Sequence, residues 1–323
     1  MTSRFSISAA FLALVVAGSA AAEHERASKT TTAREIAASP GLTLQAALDR
    51  AGFSPGEIDG RPGAVTKRAL AAFQKEHRLR PTGEMDGKSW AALGVKPGNA
   101  EKTITQYSIA AEDAEGPFTP EIPEDMEAKA ELPALGYTGV VEALAERFHV
   151  APALLKALNP EAKFAASETI AVPRVSTVPS AATSAVADVT VSVSKSAEAL
   201  TARDADHKIL LFAPVTVGSE HDPLPIGRWK VTGVQRNPVF SYNPDLFWDA
   251  DPSQTKAKIP AGPNNPVGVV WIDLDKPHYG IHGTPEPGKI GYRESHGCVR
   301  LTNWDALKLA ALVKPGTEVI FEP

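Results

Sequence analysis

Apolar positions recur at helical spacing early in this chain and at alternating spacing late in it. Leu44, Ala47, Leu48 and Ala51 fall at i, i+3, i+4 and i+7, which predicts an amphipathic helix opening near Leu42. The turn Pro55-Gly56-Glu57-Ile58-Asp59-Gly60 follows, and Thr66 opens a second helix with the stripe Ala69, Leu70, Phe73. Thr82-Gly83 breaks the chain, and Ser89-Trp90-Ala91-Ala92-Leu93 reads as a third short helix. Packed around Leu48, Phe73 and Trp90, these predict a three-helix bundle over residues 41–95.

A second small module is expected over residues 136–175. Val141, Leu144, Ala145 and Phe148 form one stripe, and Leu154, Leu155 and Leu158 form another. Tyr137-Thr138 before them and Ile170-Ala171-Val172-Pro173 after them complete a strand–helix–helix–strand order. From Val189 the period becomes two, through Val191 and Val193. Residues 208–217, 228–234, 269–274 and 317–321 are further strand candidates, and one late helix spans 304–313 with Thr302 or Asn303 as cap. Residues 187–323 are therefore expected to be mainly β.

The segments between these modules are polar. Residues 96–135 are acidic and proline-rich, with Glu112, Asp113, Glu121, Glu124, Asp125 and Glu127 among Pro117, Pro120, Pro123 and Pro133. They read as a solvated linker, although alternation around Ile104 and Ile109 leaves room for a strand. Residues 176–186 read as a Ser/Thr/Ala-rich linker. The expectation is a self-contained C-terminal domain with two tethered upstream modules.

Composition narrows the function. Thirty-three basic against 38 acidic residues, with no Lys/Arg run, argue against nucleic acid as a partner. Arg4, the apolar run Phe5–Ala17 and Ala20-Ala21-Ala22 read as a signal peptide over residues 1–22, with a disordered polar leader over 23–40. No other segment approaches membrane-spanning length, so an exported, soluble protein is expected; a periplasmic location and a monomer are separate expectations.

Export bears on the chemistry. Cys298 is the one cysteine, and a thiol in an oxidising compartment is a liability unless buried or used. It lies in Ser295-His296-Gly297-Cys298-Val299-Arg300, downstream of His282-Gly283-Thr284. His282 is the candidate base, with a backbone carbonyl at Gly283 fixing its tautomer. The Gly297 and Cys298 amides are candidate oxyanion donors. Arg300 could bind a substrate carboxylate or stabilise the thiolate, with Ser295 and His296 completing the hydrogen bonding. An ordinary histidine would make activity fall as pH drops through about 6–6.5. The competing reading is a zinc site from His278, His282, His296 and Cys298. The glycine framing suits acyl chemistry better, and no metal or cofactor is expected.

These motifs resemble known families. Residues 42–93 are similar to peptidoglycan-binding domain-1, through Leu44-Gln45, Gly56-x-x-Asp59-Gly60, Thr66-x-x-Ala69-Leu70-x-x-Phe73-Gln74, Thr82-Gly83 and Trp90. Residues 137–175 resemble a degenerate lysin motif, without the Gly-Asp-Thr that usually follows its first strand. Residues 187–323 resemble the catalytic domain of the L,D-transpeptidases (the ErfK/YbiS/YcfS/YnhG, or YkuD-type, family). The resemblance rests on Pro225-Ile226-Gly227, the loop 262–268, His282-Gly283-Thr284, Ile290-Gly291 and the Ser295–Arg300 block. It implies a sandwich-like β fold, sensitivity to carbapenems and a cysteine acyl-enzyme. That acyl-enzyme would form on a peptidoglycan tetrapeptide stem and pass to an acceptor amine. An L,D-carboxypeptidase or endopeptidase resolving the same intermediate with water, or a non-catalytic wall-binding protein, are the alternatives.

Overall fold

The computed structural model describes residues 31–177, 188–292 and 297–323. The signal-peptide expectation, Ser295 and His296 all lie outside them. Among the described residues no helix is long and apolar enough to cross a membrane.

The N-terminal bundle consists of α2 (Pro40–Arg50), α3 (Ala64–Glu76) and α4 (Gly87–Leu93), preceded by the short α1 (Ala33–Ala37). Ser39 and Asp86 cap α2 and α4 by accepting from Leu42 and Ser89 amides, and Gly94 ends α4 in the left-handed conformation. Leu48, Phe73 and Leu70 fill the centre. The α1 helix corrects the leader expectation over 31–40: Thr32 and Glu35 form a capping box that holds it.

Next come α5 (Ala100–Thr103), β1 (Ile104–Ser108), α6 (Ala111–Glu115), α7 (Met126–Ala130), α8 (Val140–Arg147), α9 (Pro152–Leu158) and β2 (Thr169–Pro173). The second module is a βααβ unit, but its first strand is β1, paired antiparallel with β2 from Ile104↔Pro173 to Ser108↔Thr169. Tyr137-Thr138 forms no strand. The segment 96–135 is correspondingly not an open tether. Ile109 and Leu135 are buried within it, and those two apolar contacts outweigh the acidic, proline-rich composition around them.

The C-terminal domain holds β3 (Thr190–Ser194), β4 (Ala199–Arg203), β5 (Ile209–Pro214), β6 (Thr216–Val217), β7 (Gly227–Arg236), β8 (Phe240–Tyr242), β9 (Ala257–Ile259), β10 (Val270–Leu274), β11 (Gly280–His282), β12 (Val299–Arg300), α10 (Asn303–Leu312) and β13 (Glu318–Glu322). Nine strands form one sheet in the order β5-β4-β3-β13-β7-β10-β11-β12-β6. The end strands β5 and β6 are separated by Val215 alone, so the sheet must curl round on itself. Curling gives the two facing layers of a mainly β domain, and α10 buries Ala306 and Leu309 in the core they enclose. Val189, Val191 and Val193 all point into that core, as period-two spacing requires.

The modules are not independent. Thr32–Pro323 form one compact unit. The bundle's turn at 52–54 bonds to the sheet-edge strand β5: Phe212 N–H donates to Gly52 O and Ser54 N–H to Phe212 O, both at 2.8 Å. This covers an edge that would otherwise expose unpaired backbone. Ile58 and His149 join the bundle to the second module, and Leu135 bonds to Ala261 in the C-terminal domain.

Candidate active site

The sheet brings the two sequence motifs together. His282 ends β11 and Arg300 ends β12, and these strands run parallel with Ile281 opposite Val299 and His282 opposite Arg300. Cys298 immediately precedes β12, so the same register sets it beside Gly280, whose amide bonds the sulfur. The thiol also faces the His278 carbonyl at 3.8 Å. His278 adopts a left-handed backbone, φ +65°, in the turn between β10 and β11.

His282 is buried and its Nδ1 lies 2.7 Å from the Gly283 carbonyl. A carbonyl only accepts, so Nδ1 carries the proton and Nε2 is the basic nitrogen. Trp271 is its direct cross-strand partner, and the two rings stack at 5.4 Å and 18°. Burial, with the Arg300 guanidinium adding to it, pushes His282 down to about 3, against the Gly283 bond. The imidazole is therefore neutral through the ordinary pH range. This corrects the expectation of a histidine titrating near 6–6.5. Burial pushes the Cys298 thiol up and Asp222 adds to this, while the Gly280 bond and Arg300 oppose it.

Gly297 has φ +95°, and a Cβ there would come within 2.9 Å of the Tyr279 ring. Both facts demand glycine beside the cysteine. Gly283 has no room either, since a Cβ would meet Asn303 Oδ1 at 2.2 Å.

Cys298, His282 and Arg300 line one cavity of about 640 Å³ together with Asp222, Trp271, His278 and Tyr279. That is the size of a small-ligand cleft. Glu124 and Met126 complete another wall, although they precede the C-terminal domain by some sixty residues of chain. Trp271, Tyr279 and Asp222 were not singled out as site residues in the sequence, and Asn303 was read there only as a candidate helix cap. Trp271 carried a usable signal, since it lies in an apolar strand whose neighbour holds His282. Among the described residues no three His, Cys, Asp or Glu side chains converge as a metal site.

Two segments of this chain match known families. Residues 188–321 match the family model of the L,D-transpeptidase catalytic domain, and residues 42–93 match that of the peptidoglycan binding domain. The C-terminal domain belongs to the L,D-transpeptidase family, and the bundle is a domain of the peptidoglycan-binding kind. A Bacillus subtilis protein named as an L,D-transpeptidase, YkuD, is 29% identical over 55% of this chain and 91% of its own length. An Escherichia coli protein named as an L,D-transpeptidase, YbiS, is 48% identical over 35% of this chain. A Bacillus licheniformis YkuD protein is 49% identical over 19% of it. The chain spans 37% of the length of each of these last two relatives. Among solved structures, an L,D-transpeptidase from Mycobacterium smegmatis is 21% identical with a TM-score of 0.35, covering 42% of this chain and 59% of that one.

Proposed function

We propose that this chain is a periplasmic cysteine L,D-transpeptidase that acts on peptidoglycan stems through an acyl-enzyme on Cys298. The observation that carries the reading is the parallel β11–β12 register, which sets Cys298 and His282 on one cavity. The Nδ1 bond to Gly283 leaves Nε2 as acceptor for the thiol proton. Cys298 sulfur attacks the carbonyl of the L-centre before the terminal D-residue, and His282 takes the thiol proton. The tetrahedral oxyanion is held by the Gly297 and Cys298 amides. Collapse expels the terminal D-amino acid, whose amine receives the proton from His282. The acceptor amine then attacks the thioester carbonyl, His282 takes the amine proton, and the C–S bond breaks to release the cross-linked product while His282 returns the proton to Cys298. Arg300 adds to burial in keeping His282 neutral, favours negative charge on the sulfur, and offers a guanidinium to the donor carboxylate. No step needs a cofactor. The 42–93 domain retains the enzyme on the polymer.

The test is mass spectrometry of the full chain with a carbapenem and, separately, with disaccharide-tetrapeptide. One acyl mass lost in Cys298→Ser, with cross-linked product from the natural substrate, is the expected result. An undiminished adduct in that variant overturns the nucleophile, and tripeptide alone assigns the second step to water.

A further inference from the structure

We infer that Glu146, on α8 of the upstream βααβ module, is a positioning residue for His282, acting through Asn303. This rests on the reading of His282 as the base. Asn303 begins α10 and is fully buried. Its Oδ1 accepts from the Val269 amide at 3.2 Å, and its Nδ2 donates to Glu146 Oε2 at 3.0 Å and to the Pro263 carbonyl at 3.2 Å. The same Oδ1 is packed so closely on Gly283 and Gly268 that a Cβ on either would come within 2.2 Å of it. Gly283 is the residue whose carbonyl orients the His282 ring. Asn303 is thus the floor under the His282–Gly283 peptide, and Glu146 sets the amide rotation of Asn303.

Glu146 is itself held. Tyr137 hydroxyl donates to its Oε1 at 2.9 Å. Beside it, Glu142 Oε1 accepts from Asn264 Nδ2 at 3.0 Å, in the loop that also supplies the Pro263 carbonyl. The chain around 136–146 therefore grips that loop and the start of α10 together. Each Glu146 oxygen accepts, one from Asn303 Nδ2 and the other from the Tyr137 hydroxyl, so the nitrogen of Asn303 is held outward and its oxygen toward Val269 and the two glycines. Without it, the Asn303 amide has a weaker reason to keep that orientation, and the Gly283 carbonyl loses its fixed seat. A displacement of a fraction of an ångström at a catalytic base is costly in rate. The βααβ module then contributes to the chemistry and not only to attachment.

The experiment uses the full chain and two readouts: the rate of Cys298 acylation by a carbapenem, and the proton NMR signal of His282 Nδ1–H. Glu146→Ala is expected to slow acylation about tenfold or more and to shift or broaden the Nδ1–H signal. Glu146→Gln keeps an acceptor oxygen and is expected to restore both. Glu146→Met fills the space without an acceptor and is expected to behave as alanine, which keeps the test open should the alanine variant unfold. Arg147→Ala serves as the control. It loosens the same helix through Tyr107 and Asp113, and wild-type values are expected of it. Wild-type acylation and an unmoved Nδ1–H signal in folded Glu146→Ala or Glu146→Met would overturn the inference. So would equal losses in Arg147→Ala, which would reduce Glu146 to general docking. A wild-type chain that carbapenem does not acylate at Cys298 would instead sink the transpeptidase reading.

Discussion

Asp49 and His149 are 100 residues apart in sequence and 2.9 Å apart in space, and both are sealed from solvent. Asp49 also accepts from the Ser176 amide and hydroxyl, each at 2.6 Å, and from Lys308 Nζ at 3.2 Å. One carboxylate on α2 thereby joins the bundle, the βααβ module, the segment after β2 and helix α10. Burial alone would raise its pKa. The His149 ring, Lys308 and the donated hydrogen bonds outweigh that and hold it far below the usual carboxylate range.

Asp49→Ala leaves His149 buried without its acceptor and leaves Lys308 with Asp305 alone, at 3.4 Å. Breaking a buried pair in this way costs about 3–5 kcal/mol. Chemical denaturation of the variant should show a loss of that size. A folded pKa below the unfolded one means the stabilisation is complete above about 3.9 and fades as pH falls toward the folded value. The difference between wild type and Asp49→Ala should therefore be constant through neutral pH and shrink only in strong acid.

A fragment of residues 188–323 should be much less stable than the full chain. Removing the upstream residues uncovers the ring of Phe212, which stacks on Phe53, and that of Trp304, which stacks on His149. It also takes Ser54 Oγ from buried Asp305, where the bond is 2.6 Å. Thermal unfolding of the fragment should begin at a clearly lower temperature. A fragment as stable as the whole would show the interfaces to be incidental.

Gly297→Ala should lose both stability and acylation. The new methyl meets Tyr279 and the backbone sits at φ +95°. Strain of that kind costs about 1–3 kcal/mol. Because Gly297 adjoins Cys298, the proposed nucleophile, the acylation rate should fall further than the stability loss explains, measured at a temperature where the variant is folded.

Acylation should show no break near pH 6–6.5. With His282 pushed down to about 3, its basic form is present across the range from about pH 5 to 8. With Cys298 pushed above the ordinary thiol range, neutral thiol is the resting form over the same interval. Stopped-flow acylation against pH should be flat there. A fall centred near 6–6.5 would mean that the imidazole is more accessible to water, or further from Arg300, than this geometry gives.

Glu146 should make stability fall as pH rises. Burial lifts it to about 7 and Glu142 adds to this, against the bonds from Asn303 and Tyr137. The folded chain then keeps a proton that the unfolded chain releases above about 4.3. Stability is lost as pH rises between that value and about 7. Unfolding temperatures at pH 5 and 8 should differ less in Glu146→Gln than in wild type.

Local sequence determined what depends on local chemistry. The helical stripes at Leu44–Ala51 and Ala69–Phe73, the alternation from Val189, and the capping Thr302 are each dictated within a few residues. The pairing of Cys298 with His282 was legible because their glycine-framed motifs match a family spacing. What depends on distant partners was not legible. The partner of β2 lay some sixty residues upstream, where the alternation around Ile104 left room for a strand but nothing local told what it would pair with. Asn303 read as a helix cap, and Glu146 as a charge on a helix face. The acidity of His282 was likewise set by burial and by Arg300, which β12 delivers beside it. Periodicity records which face of an element is apolar, but not what that face meets. Only the tertiary structure decided that the upstream modules are built into the catalytic domain, because the buried charges and edge strand that bind them find partners only after the chain has folded.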